Sequence, residues 1–109
     1  MAFDESLAVR IRPLLRGKYS VTEKKMFGGL AFMVNGYMCC GIVGSDLVIR
    51  TGPDGFKSAI SRPHARPMNF TGRPMKGFVF VAPAGYRRTE DLKAWTRRGL
   101  KFVLNQPPN

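Results

Sequence analysis

From Leu30 to Arg50 the chain is an apolar run folded by two turn signals, and nothing else in the sequence restricts the fold as tightly. Asn35-Gly36 interrupts the run first. Both residue types accept the positive φ that a two-residue type I′ hairpin demands. Gly44-Ser45 interrupts it again. Two-residue turns at both places pair Val34 with Tyr37, Phe32 with Cys39 and Leu30 with Gly41, then Val43 with Asp46 and Gly41 with Val48. Period-two alternation then sorts the side chains. One face receives Ala31, Met33, Met38, Cys40, Ile42, Leu47 and Ile49. The other receives Leu30, Phe32, Val34, Tyr37, Cys39, Val43, Asp46, Val48 and Arg50. The first set is wholly apolar and is expected to pack on helices. The second is nearly as apolar, whereas an antiparallel sheet usually leaves one face polar. That second face needs cover, from the chain's own segments or from a second subunit, so Leu30, Phe32, Val34 and Tyr37 are expected to form an interaction face. Homodimerisation through the sheet or its edge follows from the same reading.

Gly28-Gly29 stands just upstream, after the extended stretch Val21 to Phe27. A glycine pair within a strand marks a bulge, a sharp bend or the close approach of another backbone. The alternative is an anion-binding nest of N–H groups beside Lys24 and Lys25. No phosphate-loop spacing follows, and a strand comes next where a nucleotide loop would lead into a helix. A bend within one long strand is therefore expected.

The flanking segments are simpler. Phe3, Leu7, Ile11, Leu14 and Leu15 recur at helical spacing, with Asp4 and Glu5 in the first turn, and Pro13 disturbs the end. Thr51-Gly52-Pro53-Asp54 opens a short helix that buries Phe56, Ala59 and Ile60. A short edge strand is expected near Met68 to Phe70, a turn over Thr71 to Pro74, and a strand over Lys76 to Ala82 that is buried on both sides. The last helix starts with Thr89 as N-cap and buries Leu92, Trp95, Gly99, Phe102 and Val103. Gly99 costs a helix about 1 kcal/mol against Ala, so a close contact with the sheet is expected there. Residues 105–109 read as a frayed tail. The 109 residues suit one domain spanning 1–109, large enough to fold without disulfide or metal. No apolar run reaches membrane-spanning length, and the acidic start does not resemble a signal peptide. Cys39 and Cys40 are adjacent and read as free thiols in a reducing cytoplasm.

Two stretches together resemble the signature of the TfoX amino-terminal-domain family: Val21-Thr22-Glu23-Lys24-Lys25-Met26-Phe27-Gly28-Gly29-Leu30-Ala31-Phe32, and the later run from Arg62 to Phe78. The likeness spans nearly the whole chain and is similar to the stand-alone form, without the carboxy-terminal helical domain of the full-length competence regulators. It implies an α+β fold of order α-β-β-β-α-β-β-α, an antiparallel sheet with helices packed on it, as in YgaC-like and secretion-chaperone-like proteins. For function it implies only a regulatory setting: the full-length relatives act in regulation of DNA uptake, without a recognised DNA-reading motif in this domain, and the competence role is not carried over to this sequence.

Catalytic constellations are thin. His64 is the only histidine, and no Asp or Glu lies between Gly55 and Thr89 to orient it locally. A pair of His64 with Cys39 or Cys40 has no catalytic cysteine signature around it, and cysteines in strands are usually core residues. Met33, Met38 and Cys40 share a face in the expected register and would suit Cu(I), but no zinc spacing is present and methionine is a common core filler. Neither catalytic residues, nor a cofactor, nor a metal site is assigned on this reading. Charge is the strongest surface feature. Eighteen Lys and Arg face seven Asp and Glu, a formal +11. Lys57, Arg62, Arg66, Arg73, Lys76, Arg87 and Arg88 precede Lys93, Arg97, Arg98 and Lys101 on the last helix. If loop and helix share a side they create a broad positive field. No helix-turn-helix, zinc or RNA-recognition motif accompanies it, so nucleic acid would be held by its phosphates, nonspecifically and with strong salt dependence. The competing reading is a solvated face. The function expected is thus a small cytoplasmic, non-enzymatic domain acting through protein–protein contacts, with nonspecific nucleic-acid or polyanion binding as the alternative.

Overall fold

The computed structural model describes residues 3–26, 28–70 and 73–107, with side chains left out for 70 and 73–76. A helix α1 (Glu5–Ile11) leads into a 3₁₀ turn (Arg12–Leu15). Four strands follow: β1 (Val21–Met26), β2 (Gly29–Val34), β3 (Tyr37–Val43) and β4 (Asp46–Arg50). Then come α2 (Gly52–Ile60), β5 (Ala65–Phe70), β6 (Arg73–Val81), a single turn α3 (Pro83–Tyr86) and α4 (Thr89–Leu104). The strands form one antiparallel sheet of order β1-β2-β3-β4-β6-β5.

Local chemistry explains most of these boundaries. Asp4 is the N-cap of α1, its carboxylate accepting from the Ser6 and Leu7 amides. Pro13 ends the α-helical hydrogen bonding, and the chain tightens into 3₁₀ geometry. Asn35 and Gly36 both take positive φ, 53° and 86°, as the type I′ turn requires. The turn at Gly44-Ser45 has the expected two residues, since Val43 pairs with Asp46 and Gly41 with Val48. Thr89 is the first helical residue of α4 and not its cap; Arg88 holds that position without a side-chain cap bond.

The glycine pair does more than bend a strand. Val21 pairs with Val34 and Met26 with Gly29, so Val21–Met26 folds back on β2 as a hairpin arm. Gly28, at φ 73°, turns the chain. Gly29 meets β3 so closely that an added Cβ would lie 2.0 Å from the Ile42 carbonyl oxygen. One bent strand was expected where the structure has two, and the sheet gains an edge. Residues 105–107, expected to fray, are tied down: the Gln106 amide donates to the Val103 carbonyl, and the Tyr37 hydroxyl donates to the Pro107 carbonyl at 2.7 Å.

A β-bulge decides which face is which. Met33 pairs with Met38, but Phe32 pairs with Cys40 and Leu30 with Ile42, leaving Cys39 as an extra residue on β3. Beyond that point the expected register is displaced by one, and the faces recombine. Leu30, Phe32 and Val34 now join Cys40, Ile42, Leu47 and Ile49 in the main core, with Tyr37 packed against it. Leu7, Ile11, Leu92, Trp95 and Val103 close that core from the helices. The expected interaction face of Leu30, Phe32, Val34 and Tyr37 is therefore the helix-covered face. The opposite face carries a second cluster of Ala31, Met38, Val48 and Met68, with Met33, Val43, Phe78 and Phe80 partly buried against it. Among the described residues no helix contributes to it.

Candidate functional site

The sheet face that no helix covers is assembled by alternation across six strands. Thr22, Lys24 and Met26 of β1 stand opposite Met33, Ala31 and Gly29 of β2. Val43 faces Asp46, Val48 faces Phe80, Arg50 faces Phe78, and Phe80 faces Arg66. The centre is apolar and rich in sulfur; the charges lie around it. Arg66 donates to the Asp46 carboxylate at 2.8 Å and lies 4.9 Å from the Phe80 ring centre. The Arg50 guanidinium is 5.4 Å from the Phe78 ring centre and 5.0 Å from that of Phe102 on α4. Such stacking holds a cation over an aromatic face while leaving its N–H groups available. Lys24 and Arg50 take part in none of the ion pairs among the described residues, which are Arg12–Glu23, Arg66–Asp46 and Arg88–Glu90. The sequence placed Arg50 on the same face as Val48 but did not bring Lys24 to it, because the rim of a face exists only once the register is known.

The thiols are core. Cys39 and Cys40 are both free and fully buried, and the bulge lets these neighbours enter the same cluster. The hydrogen bond with Cys39, together with burial, pushes the Cys40 thiol well above its usual range. Cys40 thereby parts from Met33 and Met38, which stand on the other side of the sheet. The soft ligand set anticipated on one face is split by the sheet itself.

His64 sits at positive φ in the loop before β5 and lines a hollow of about 190 Å³ with Arg62, Asp91 and Trp95. Asp91, from the first turn of α4, thus shares this hollow with His64, though no hydrogen bond or ion pair among the described residues joins the two. No serine, threonine or cysteine lines this hollow among the described residues. Histidine and carboxylate without a nucleophilic side chain beside them do not match the nucleophile–base arrangement of an acyl-transfer site.

The cationic residues are dispersed. Lys93, Arg97 and Lys101 stand exposed along α4 at four-residue steps, and Lys57 is exposed on α2. Arg98 folds over the Trp95 ring at 5.2 Å. With Lys101 it lines a cleft of about 740 Å³ between α2 and α4, where Asp54 adds the opposite sign. Arg87 is exposed, and its carbonyl accepts from Arg10; Arg88 pairs with Glu90 at 3.4 Å. Arg62 belongs to the His64 hollow, and Arg66 lies on the far side of the sheet from α4. The side chains of Arg73 and Lys76 lie outside the described residues. Arg62, Arg87 and Arg88 thus stand near α4 with its Lys93–Arg97–Lys101 row, while Arg66 belongs to the other side of the sheet.

Among the described residues no helix is long and apolar enough to cross a membrane. The family model of the TfoX N-terminal domain matches residues 13–103, and the chain belongs to that family. No curated protein and no solved structure matches it.

Proposed function

We propose that this member of the TfoX N-terminal domain family is a non-enzymatic cytoplasmic domain that works through protein–protein contacts, in a regulatory setting, using the uncovered face of its sheet. One observation carries this reading: every helix that packs on the sheet joins a single core, while Met33, Val43, Phe78 and Phe80 stay partly exposed on the other side. Apolar side chains gathered on one open face, ringed by polar residues, are the signature of a contact surface. The thiols argue against chemistry because they are sealed in the core, and the His64 hollow argues against it because it lacks a nucleophile.

Site-specific photocrosslinking in living cells tests the reading. A photoreactive residue at Met33 or Val43 is expected to give discrete protein adducts that survive nuclease treatment, and one at exposed Ala94 on α4 is expected to give none. Equal adducts at both surfaces, or none at the sheet, would remove the proposal. A second reading, polyanion binding, is favoured by the Lys93–Arg97–Lys101 row. It predicts DNA binding that weakens steeply with salt and is lost on joint reversal of Lys93 and Arg97 to Glu; absence of binding at low salt refutes it.

A further inference from the structure

The open face also indicates what kind of partner fits it, and this step rests on the protein-contact reading above. Six strands at about 4.8 Å spacing make a face roughly 24 Å across. An α-helix of about 16 residues has the same length at 1.5 Å per residue. The fold already seats a helix of 16 residues on its other side, where α4 packs on β2, β3 and β4. A strand added at an edge is the competing mode of attachment. Both edges are guarded against it: β1 carries Lys24 and Lys25 in succession, and β5 carries Pro67 beside a register shift. The face, and not the edge, is left to accept a partner.

Charge selects among helices. Among the described residues the cations on this face are Lys24, Arg50 and Arg66, and the acid is Asp46, which Arg66 already neutralises at 2.8 Å. A second copy of the chain would bring together two faces with the same excess of cations, on molecules that each carry +11. Burying like charges opposite one another costs several kcal/mol in general and suppresses that pairing. Carboxylates flanking an apolar stripe would instead meet both cations. Met33, the partly accessible methionine of this cluster, is a side chain that adapts to differing apolar neighbours, while Met38 and Met68 are buried beneath the face.

We propose that the open face of the sheet seats an acidic amphipathic helix of a different protein, its apolar stripe on Met33, Val43, Phe78 and Phe80 and its carboxylates on Lys24 and Arg50. The full chain serves as bait for a displayed library of amphipathic helices of about 16 residues. Each has a fixed leucine stripe and flanks drawn from Glu, Gln and Lys. Enrichment of Glu at the flanks is expected, as is weakening with added salt and loss of at least about tenfold in affinity, or 1.4 kcal/mol, for Met33→Glu. Phe80→Glu gives a second test of the same surface, with circular dichroism confirming that each variant is folded. Joint reversal of Lys24 and Arg50 to Glu is expected to turn the selection toward Lys flanks. Flanks returning Lys or Gln as often as Glu would overturn the proposal, as would a failure to enrich any sequence. A homodimer dispersed by Met33→Glu would give the face to a second copy: the acidic partner is then wrong while the protein-contact reading stands. Binding to phosphatidylcholine–phosphatidylserine vesicles that Met33→Glu abolishes would assign the face to a membrane surface and overturn both.

Discussion

Substituting Gly99 by alanine sets helix propensity against packing. In an exposed helix interior the change is favourable by about 1 kcal/mol. At Gly99 the new methyl would lie 2.6 Å from the Cys39 carbonyl oxygen and 2.9 Å from its sulfur. Ordinary carbon–oxygen contacts begin near 3.3 Å, so the seam must open by roughly 0.7 Å. The nearest atom is backbone of β3, an interior strand bonded to β2 and β4, and it cannot swing aside as a side-chain tip could. The helix must therefore lift, and Leu92, Trp95 and Val103 lift with it. A gap of 0.5–1 Å forfeits about a quarter to a half of the dispersion energy along such a seam. Overpacking of this kind costs typically about 1–3 kcal/mol. Because the obstructing atom is backbone, the cost lies at the upper end, about 2–3 kcal/mol; after the propensity gain of about 1 kcal/mol, Gly99→Ala is expected to destabilise the protein by about 1–2 kcal/mol, lowering Tm by roughly 4–8 °C for each kcal/mol in a domain of this size. Urea unfolding measures this as a fall in midpoint at constant slope. Ala94→Gly, at an exposed position of the same helix, should lose about 1 kcal/mol by propensity alone. Both substitutions then destabilise although they are chemical inverses. If Gly99→Ala is as stable as the parent or more so, the close seam between α4 and the bulge is not there.

The Arg12–Glu23 pair, at 2.8 Å, joins the 3₁₀ turn to the edge strand β1. Hydrogen bonding from Arg12 holds the Glu23 carboxyl below its usual range, so its contribution is present above the unfolded value near pH 4.3 and is lost as pH falls through the lower folded value. Glu23→Gln is expected to cost about 0.2–1 kcal/mol at pH 7, as for an exposed pair, and nothing near pH 2–3; a difference that persists in acid would refute the pairing. Cys39 and Cys40 are expected to alkylate only as fast as the protein unfolds, since both are buried and Cys40 is held as thiol. Rapid modification under native conditions, followed by mass spectrometry, would refute that burial.

Turn chemistry carried much of the fold. Asn35-Gly36 and Gly44-Ser45 act locally, so their pairings with Val34–Tyr37 and Val43–Asp46 could be read without the rest of the chain. The helical stripes of α1 and α4 were legible for the same reason: a period of 3.6 within one element needs no partner to be visible. The face containing Met33 was not legible, because one extra residue at Cys39 changes which side of β2 goes with which side of the rest of β3 and of β4. Nothing in an apolar sequence distinguishes a residue that alternates from one that bulges. The hairpin at Gly28 was missed on similar grounds, since a glycine with open φ permits a bend or a reversal equally.

The sequence by itself determined that this chain folds as α+β, where the Asn35-Gly36 and Gly44-Ser45 turns fall, and that it has more apolar strand surface than one helix layer can cover. Only the tertiary structure decided which surface is left uncovered, which cations ring it, and that Asp91 approaches His64 across 27 residues of chain. The physical reason is range. Turns and helices are settled by neighbours a few residues apart. A face, a rim or a side-chain cluster depends on register and packing between distant strands, where a shift of one residue reverses the outcome.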